Sequence, residues 1–235
     1  MTPIINDEIT RQVKELFDEL INPVEVLFFG QHPEGDPQGV AGADEYCAQT
    51  LQLLEEVAAL SDIINVSIYD LDQNPEQART YKVDKAPGFV IAGKDGDRII
   101  DYRIKYYGIQ SGHEFTSLVN DIVMVSSQNS ALAEPSRQFL KNLSQPIHLQ
   151  VFVTPTCQWC PRAVVLAHQM AMESPLVEAE MVDAAAFFDL ANQYDVSGVP
   201  HTVINHGAGR LVGATPEEDL VKEIQRVLQE QVQVS

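Results

Sequence analysis

Two sulfurs three residues apart, in Cys157-Gln158-Trp159-Cys160, are the side chains of this chain best suited to chemistry. Cysteines at this spacing can close a disulfide or supply half of a tetrahedral metal site. A structural zinc site needs a second ligand pair at short spacing, and the sequence offers none. Its third cysteine, Cys47, lies 110 residues away. His148, His201 and His206 are isolated and fall in or beside strand-like stretches, so they are read as ordinary hydrogen-bonded or exposed histidines. No metal is expected, and the pair is read as a redox dithiol.

The surroundings of the pair recur in the first half of the chain. Cys160 precedes Pro200 by 40 residues, and Cys47 precedes Pro87 by the same 40. A single offset of 113 maps Cys47 onto Cys160, Asp70 onto Asp183, Tyr81-Lys82-Val83 onto Tyr194-Asp195-Val196 and Ala86-Pro87 onto Val199-Pro200. The chain is thus an internal duplication. Asp44 stands where the second copy has Cys157, so only the second copy keeps both sulfurs. Asp44 is read as the N-cap of the helix that begins at Glu45, and Cys47 as a buried, inert thiol, the alternative being a regulatory mixed or intermolecular disulfide.

The elements that must position these residues follow from patterning. In the second copy a helix over Pro135–Leu143 precedes a buried strand over Ile147–Val153. After the loop Thr154-Pro155-Thr156, a helix opens at Cys157 and runs to about Met172. Val177–Val182 is a strand, Asp183 an N-cap, and Ala184–Tyr194 a helix. Pro200 begins the strand His201–Asn205, which turns at His206-Gly207 into a hairpin partner over Arg210–Val212. Thr215-Pro216-Glu217-Glu218 opens the last helix. The first copy repeats this order, with a loop over Gly30–Ala43 ten residues longer than its counterpart. Ser111-Gly112-His113-Glu114 reads as a capping box and Ser126–Ser130 as a polar linker. Two domains follow, residues 1–126 and 127–235, each α-β-α-β-α-β-β-α.

Composition narrows the partners. The 235 residues are 45% hydrophobic, enough for packed cores. The formal net charge of −19 repels phosphate backbones, so nucleic acid is not an expected partner. No run approaches the roughly 20 apolar residues of a membrane span. The N-terminal residues lack the basic and apolar regions of a secretory signal. The expectation is a cytoplasmic protein without membrane contact.

A βαβ unit with C-x-x-C opening its helix, followed by X-Pro and a hairpin, resembles the thioredoxin fold. Two such units in one chain resemble the tandem protein disulfide oxidoreductases, also described as glutaredoxin-like. Phe152-Val-Thr-Pro-Thr-Cys157, Cys160-Pro161 and Tyr106-Tyr-Gly-Ile-Gln-Ser-Gly-His-Glu-Phe115 extend the resemblance. The fold it implies is α/β, two tandem thioredoxin-like domains, each a central mixed β-sheet flanked by helices. Members of that family usually carry C-x-x-C in both halves, and this chain departs with Asp44-Glu-Tyr-Cys47. A degenerate first copy also resembles the N-terminal domain of the flavoprotein that reduces alkyl hydroperoxide peroxidase.

The resemblance implies that Pro200 and Pro87 follow cis peptide bonds. At Val199-Pro200 this would turn the Val199 backbone toward the cysteines, where it can pair with an extended substrate. Placement at a helix N-terminus favours a thiolate, with pKa values between ~3.5 and ~7 in comparable motifs. Cys157 is therefore the expected nucleophile and Cys160 the resolving thiol. Trp159 either offers substrate an apolar contact or merely covers the end of the core. The expected function is thiol–disulfide exchange with protein disulfides, run as a reductase, with no cofactor beyond the Cys157–Cys160 disulfide itself. A thioredoxin reductase-like flavoprotein is the expected electron source. The alternative is a dedicated electron carrier from such a flavoprotein to a peroxiredoxin.

Overall fold

The two central strands are mostly apolar and almost wholly buried, and that patterning places them in the middle of their sheets. In a computed structural model, residues 3–30 and 43–234 are described, with side chains for 3–30 and 45–230. β1 (Val24–Gly30) buries its first six residues, and β5 (Ile147–Val153) buries six of seven. Each fully buried Val, Leu, Ile or Phe contributes about 1.5–3 kcal/mol, so these strands anchor their cores.

The residues divide into two compact units. One holds Met1–Asp101, Lys105–Ile109 and Asp121–Asn129; the other holds Tyr102–Ile104, Gln110–Asn120 and Ser130–Ser235. In sequence the first copy runs α1 (Asp7–Phe17), β1, α2 (Ala43–Ala58), β2 (Ile64–Asp70), α3 (Pro75–Tyr81), β3 (Gly88–Asp95), β4 (Arg98–Tyr107) and α4 (Phe115–Ser127), the last two contributing residues to both units. The second copy repeats the order with α5 (Glu134–Lys141), β5, α6 (Cys160–Glu173), β6 (Val177–Asp183), α7 (Phe188–Gln193), β7 (His201–Ile204), β8 (Gly209–Val212) and α8 (Glu217–Val234).

Strand order is β2-β1-β3-β4 in the first copy and β6-β5-β7-β8 in the second. β1 runs parallel to β2 and antiparallel to β3. β5 likewise runs parallel to β6 and antiparallel to β7, which pairs antiparallel with β8. Each copy is therefore the mixed sheet with flanking helices that the resemblance implied. Among the described residues, no helix is long and apolar enough to cross a membrane.

Four local expectations need correction. The helix after the cysteine motif begins at Cys160, not Cys157, and Cys157–Trp159 form a turn before it. Pro161 in the first turn explains the start: it lacks an N–H, which a helix interior would require but a first turn does not. Asp183 does not cap a helix at Ala184. Its carboxylate accepts from the N–H groups of Ala185 (2.9 Å) and Ala186 (3.4 Å), holding a turn, and α7 begins only at Phe188. A short polar side chain that satisfies nearby backbone in this way competes with helix.

Ser126 and Ser127 are not linker but the last turn of α4. Ser126 is fully buried because its hydroxyl is satisfied there. It accepts from the N–H groups of Ile21 (2.9 Å) and Asn22 (3.1 Å) and donates to the Asn22 carbonyl (2.7 Å). The capping box at Ser111 does not form either. Residues Gly112–Glu114 make a 3-10 turn without a side-chain cap, and Glu114 Oε2 instead accepts from the Ser117 hydroxyl at 2.9 Å.

Candidate functional site

The site is built at the carboxyl end of β5. Val153 is the last strand residue, and the chain turns tightly through Thr154-Pro155-Thr156. The Cys157 N–H donates to the Thr154 carbonyl (3.1 Å), and the Cys160 N–H donates to the Cys157 carbonyl at a longer 3.4 Å. These two bonds place the sulfurs side by side. Cys157 and Cys160 are joined as a disulfide, with Cα atoms 5.5 Å apart.

The two sulfurs are not equivalent. Cys160 is completely buried at the first position of α6, whereas Cys157 is half-buried. Trp159, which has the N-cap position, provides no side-chain cap for the helix. As at any helix start, the first backbone N–H groups of α6 lack intrahelical acceptors, and the helix dipole adds positive potential there. Because Cys157 Sγ is bonded to Cys160, it lies at that terminus, where a thiolate is favoured once the disulfide opens. Trp159 is 59% exposed, so its ring does not serve as a lid on the core.

The loop has a support that the sequence alone did not single out. The His113 N–H donates to the Pro155 carbonyl at 3.0 Å. Gly112, at φ +62, lies so close to the same carbonyl that a Cβ on it would fall 2.3 Å from the oxygen. Only glycine combines that backbone conformation with that approach. Residues 110–120 belong to the same unit as the cysteines, so Gly112 and His113 hold the segment leading to Cys157. The available signal was Ser111-Gly112-His113, read there as a cap.

Ala86-Pro87 and Val199-Pro200 are both cis peptide bonds. Pro200 is buried and its carbonyl accepts from the Gly213 N–H (2.8 Å); Pro87 is buried and its carbonyl accepts from the Gly108 N–H (3.0 Å). Val199 is half-buried. His201, directly after Pro200, is neither exposed nor hydrogen-bonded through its ring, against the ordinary reading of this histidine. Both ring nitrogens are buried without a hydrogen-bond partner. Burial, and secondarily the positive charge of Arg210, pushes the imidazole below the usual histidine range and keeps it neutral. At the end of β6, opposite Val153 in register, Asp183 is also buried. That burial raises its carboxyl above the usual range, opposed by the two backbone hydrogen bonds.

The first copy keeps the scaffold but not the sulfurs. Cys47 is buried on α2 at 8% exposure. α2 already includes Asp44, so Asp44 is in the first turn and not at the N-cap. Its side chain and the loop over 31–42 lie outside the described residues. A cavity of about 340 Å³ adjoins Cys47, with Ala48, Leu51, Phe28, Ile68 and Tyr69 among its lining. No nucleophile among its described lining side chains has the placement of Cys157.

The comparisons with known proteins agree with this geometry. Residues 147–226 match the thioredoxin domain family. The NADH dehydrogenase of Ferdinandcohnia aciditolerans is 29% identical over 184 residues, 78% of this chain and 32% of that protein. The chain spans about a third of the length of the curated relatives it matches. The crystal structure of the N-terminal N/C domain of alkylhydroperoxide reductase AhpF from Enterococcus faecalis superimposes with a TM-score of 0.81 at 27% identity, covering 93% of this chain and 98% of that one. A protein disulfide oxidoreductase from Aeropyrum pernix also gives 0.81 at 27% identity, covering 92% and 90%. With two copies of the same mixed sheet and one intact cysteine pair, the chain is a tandem thioredoxin-fold protein, similar over nearly its whole length to disulfide oxidoreductases and to that reductase domain.

Proposed function

We propose that the protein is a thiol–disulfide oxidoreductase with one redox centre, Cys157/Cys160, working as a reductase of protein disulfides. The observation that carries this reading is the paired sulfurs at the start of α6, one half-buried and the other sealed in the core. In the dithiol form, the Cys157 thiolate attacks one sulfur of a substrate disulfide. That S–S bond breaks, a mixed disulfide forms, and the other substrate sulfur leaves as a thiolate that takes up a proton. Cys160, deprotonated, then attacks Cys157 Sγ and expels the second substrate thiolate. The substrate gains two electrons and two protons, and the protein ends in the disulfide form described above.

Trp159 and the backbone of Val199 beside Pro200 are the proposed substrate contacts: an exposed aromatic face, and main chain next to the cis-proline with which an extended substrate could pair. No further cofactor is needed, because the disulfide itself stores the electron pair. A flavin-dependent disulfide reductase resets it, and the cytoplasm is the proposed setting, since a reductase must be recharged continuously.

A second reading is favoured by the likeness to the alkylhydroperoxide reductase domain. In it the protein is a dedicated carrier between a flavoprotein and a peroxiredoxin. One experiment separates the two: turnover of insulin disulfides with NADPH and thioredoxin reductase, measured beside turnover of a peroxiredoxin. A general reductase works on both. A dedicated carrier works on the peroxiredoxin alone. Turnover of neither would overturn both readings.

A further inference from the structure

At the other end of β5 the second unit holds a cluster that thiol chemistry does not use. In the β5–β6 register His148 lies opposite Glu178 and Gln150 opposite Glu180. Alternate residues of a strand share a face, so these four side chains project from one side of the sheet. The candidate ligand atoms of His148, Glu178 and Glu180 all lie within 4.8 Å of one another.

The cluster leaves polar atoms unanswered. Gln150 is 4% exposed; its Nε2 donates to Glu180 Oε2 at 3.0 Å, but its Oε1 is buried with no hydrogen-bond partner. Both ring nitrogens of His148 are buried without one, although Nε2 lies 3.2 Å from Glu180 Oε1, a close approach without hydrogen-bond alignment. Orphaned buried acceptors beside two carboxylates are costly, and a cation would satisfy them together.

The first copy shows how the same place is filled otherwise. Glu25 takes the position of His148 on the central strand, and Ser67 that of Glu180. There the Lys94 ammonium lies 2.8 Å from Glu25 Oε2, and the Ser67 hydroxyl donates to Glu25 Oε1 at 2.5 Å. The 113-residue offset puts Gly207 at the position of Lys94. The first copy carries its cation as a side chain, and the second has no side chain at that position.

We propose that His148, Glu178 and Glu180 form a binding site for one divalent transition-metal ion, with Zn²⁺ the best match. One imidazole nitrogen and two carboxylate oxygens suit Zn²⁺, leaving a fourth position for water or the neighbouring amide oxygen of Gln150. The ion would tie β5 to β6. At about 3.3 Å per residue, His148 is about 16 Å from Val153 along the strand, so the ion takes no part in thiol exchange.

The test uses the full chain with Cys157–Cys160 oxidised and Cys47→Ser, so that no thiol can ligate zinc. Titration with ZnCl₂ by calorimetry should show one ion bound per chain, and Zn²⁺ should raise the unfolding temperature until EDTA is added. His148→Ala and Glu178→Gln should each weaken binding at least tenfold while disulfide turnover stays at the parent level. Should His148→Ala fail to fold, the near-isosteric Glu178→Gln carries the same test. Absence of saturable binding, or binding untouched by Glu178→Gln, overturns the proposal.

Discussion

The two copies differ where chemistry is done and agree where it is supported. Both keep a cis X-Pro bond whose proline carbonyl accepts from a glycine N–H across a hairpin, Gly108 in one and Gly213 in the other. Both keep an aspartate that closes the turn after the second strand: Asp70 accepts from Asp72 and Gln73, Asp183 from Ala185 and Ala186. Both keep a buried cysteine in the helix after the first strand, Cys47 and Cys160. At the reactive position itself the two are separated by one side chain, cysteine at 157 against aspartate at 44. The scaffold is evidently worth keeping without the reaction, because it carries the core. Reactivity sits on one turn and can be lost without disturbing the rest.

The sharpest way to break this comparison is to remove the one feature held to matter. Cys157→Ser should abolish disulfide reduction, and activity above about a tenth of the parent would mean that the first copy reacts after all. Cys160→Ser should instead accumulate a mixed disulfide on Cys157, visible as a mass adduct on a non-reducing gel. Next in size is Gly112→Ala, which drives a Cβ into the Pro155 carbonyl at a positive φ. The strain should cost about 1–3 kcal/mol, lowering the unfolding temperature and slowing exchange at Cys157; an unchanged rate would show that the loop needs no support from residue 112.

Cys47→Ser should leave turnover within error of the parent, whereas Asp44→Cys should create a second dithiol, counted by thiol titration after reduction. A large loss in Cys47→Ser, with circular dichroism unchanged, would bring the first copy into the electron path. The smallest effect belongs to Asp183→Asn. Burial raises the Asp183 carboxyl, so the native state holds its proton more tightly than the unfolded chain does. Its ionisation opposes folding as pH rises through and above the ordinary Asp range. The asparagine variant, which keeps the turn's acceptor, should melt slightly above the parent at pH 7. The gap should close as the pH falls toward about 4.

Much of this was legible in the sequence because it rests on local pattern and on repetition. The apolar run Ile147–Val153, the spacing from cysteine to proline and the 113-residue offset each survive without knowledge of three-dimensional neighbours. Several of the failures have a common origin in contacts distant along the chain. Gly112 meets Pro155 across 43 residues, and Ser126 meets Ile21 and Asn22 across more than a hundred. A polar pattern such as Ser126–Ser130 is ambiguous until those partners are known. His148 seemed isolated because its acidic neighbours lie on the adjacent strand, 30 and 32 residues on. The start of α6 was misplaced by three residues because helical periodicity continues through Cys157, while the missing N–H of Pro161 fixes where hydrogen bonding can begin.

The contact between Gly112 and Pro155 bears on how the molecule could have diversified. A thiol centre whose loop is braced by chain from the earlier repeat is not a cassette. Cutting at the repeat boundary, near residue 127, would deliver the cysteines without their brace, so an excised second half should fold less securely and exchange disulfides less well than the intact chain.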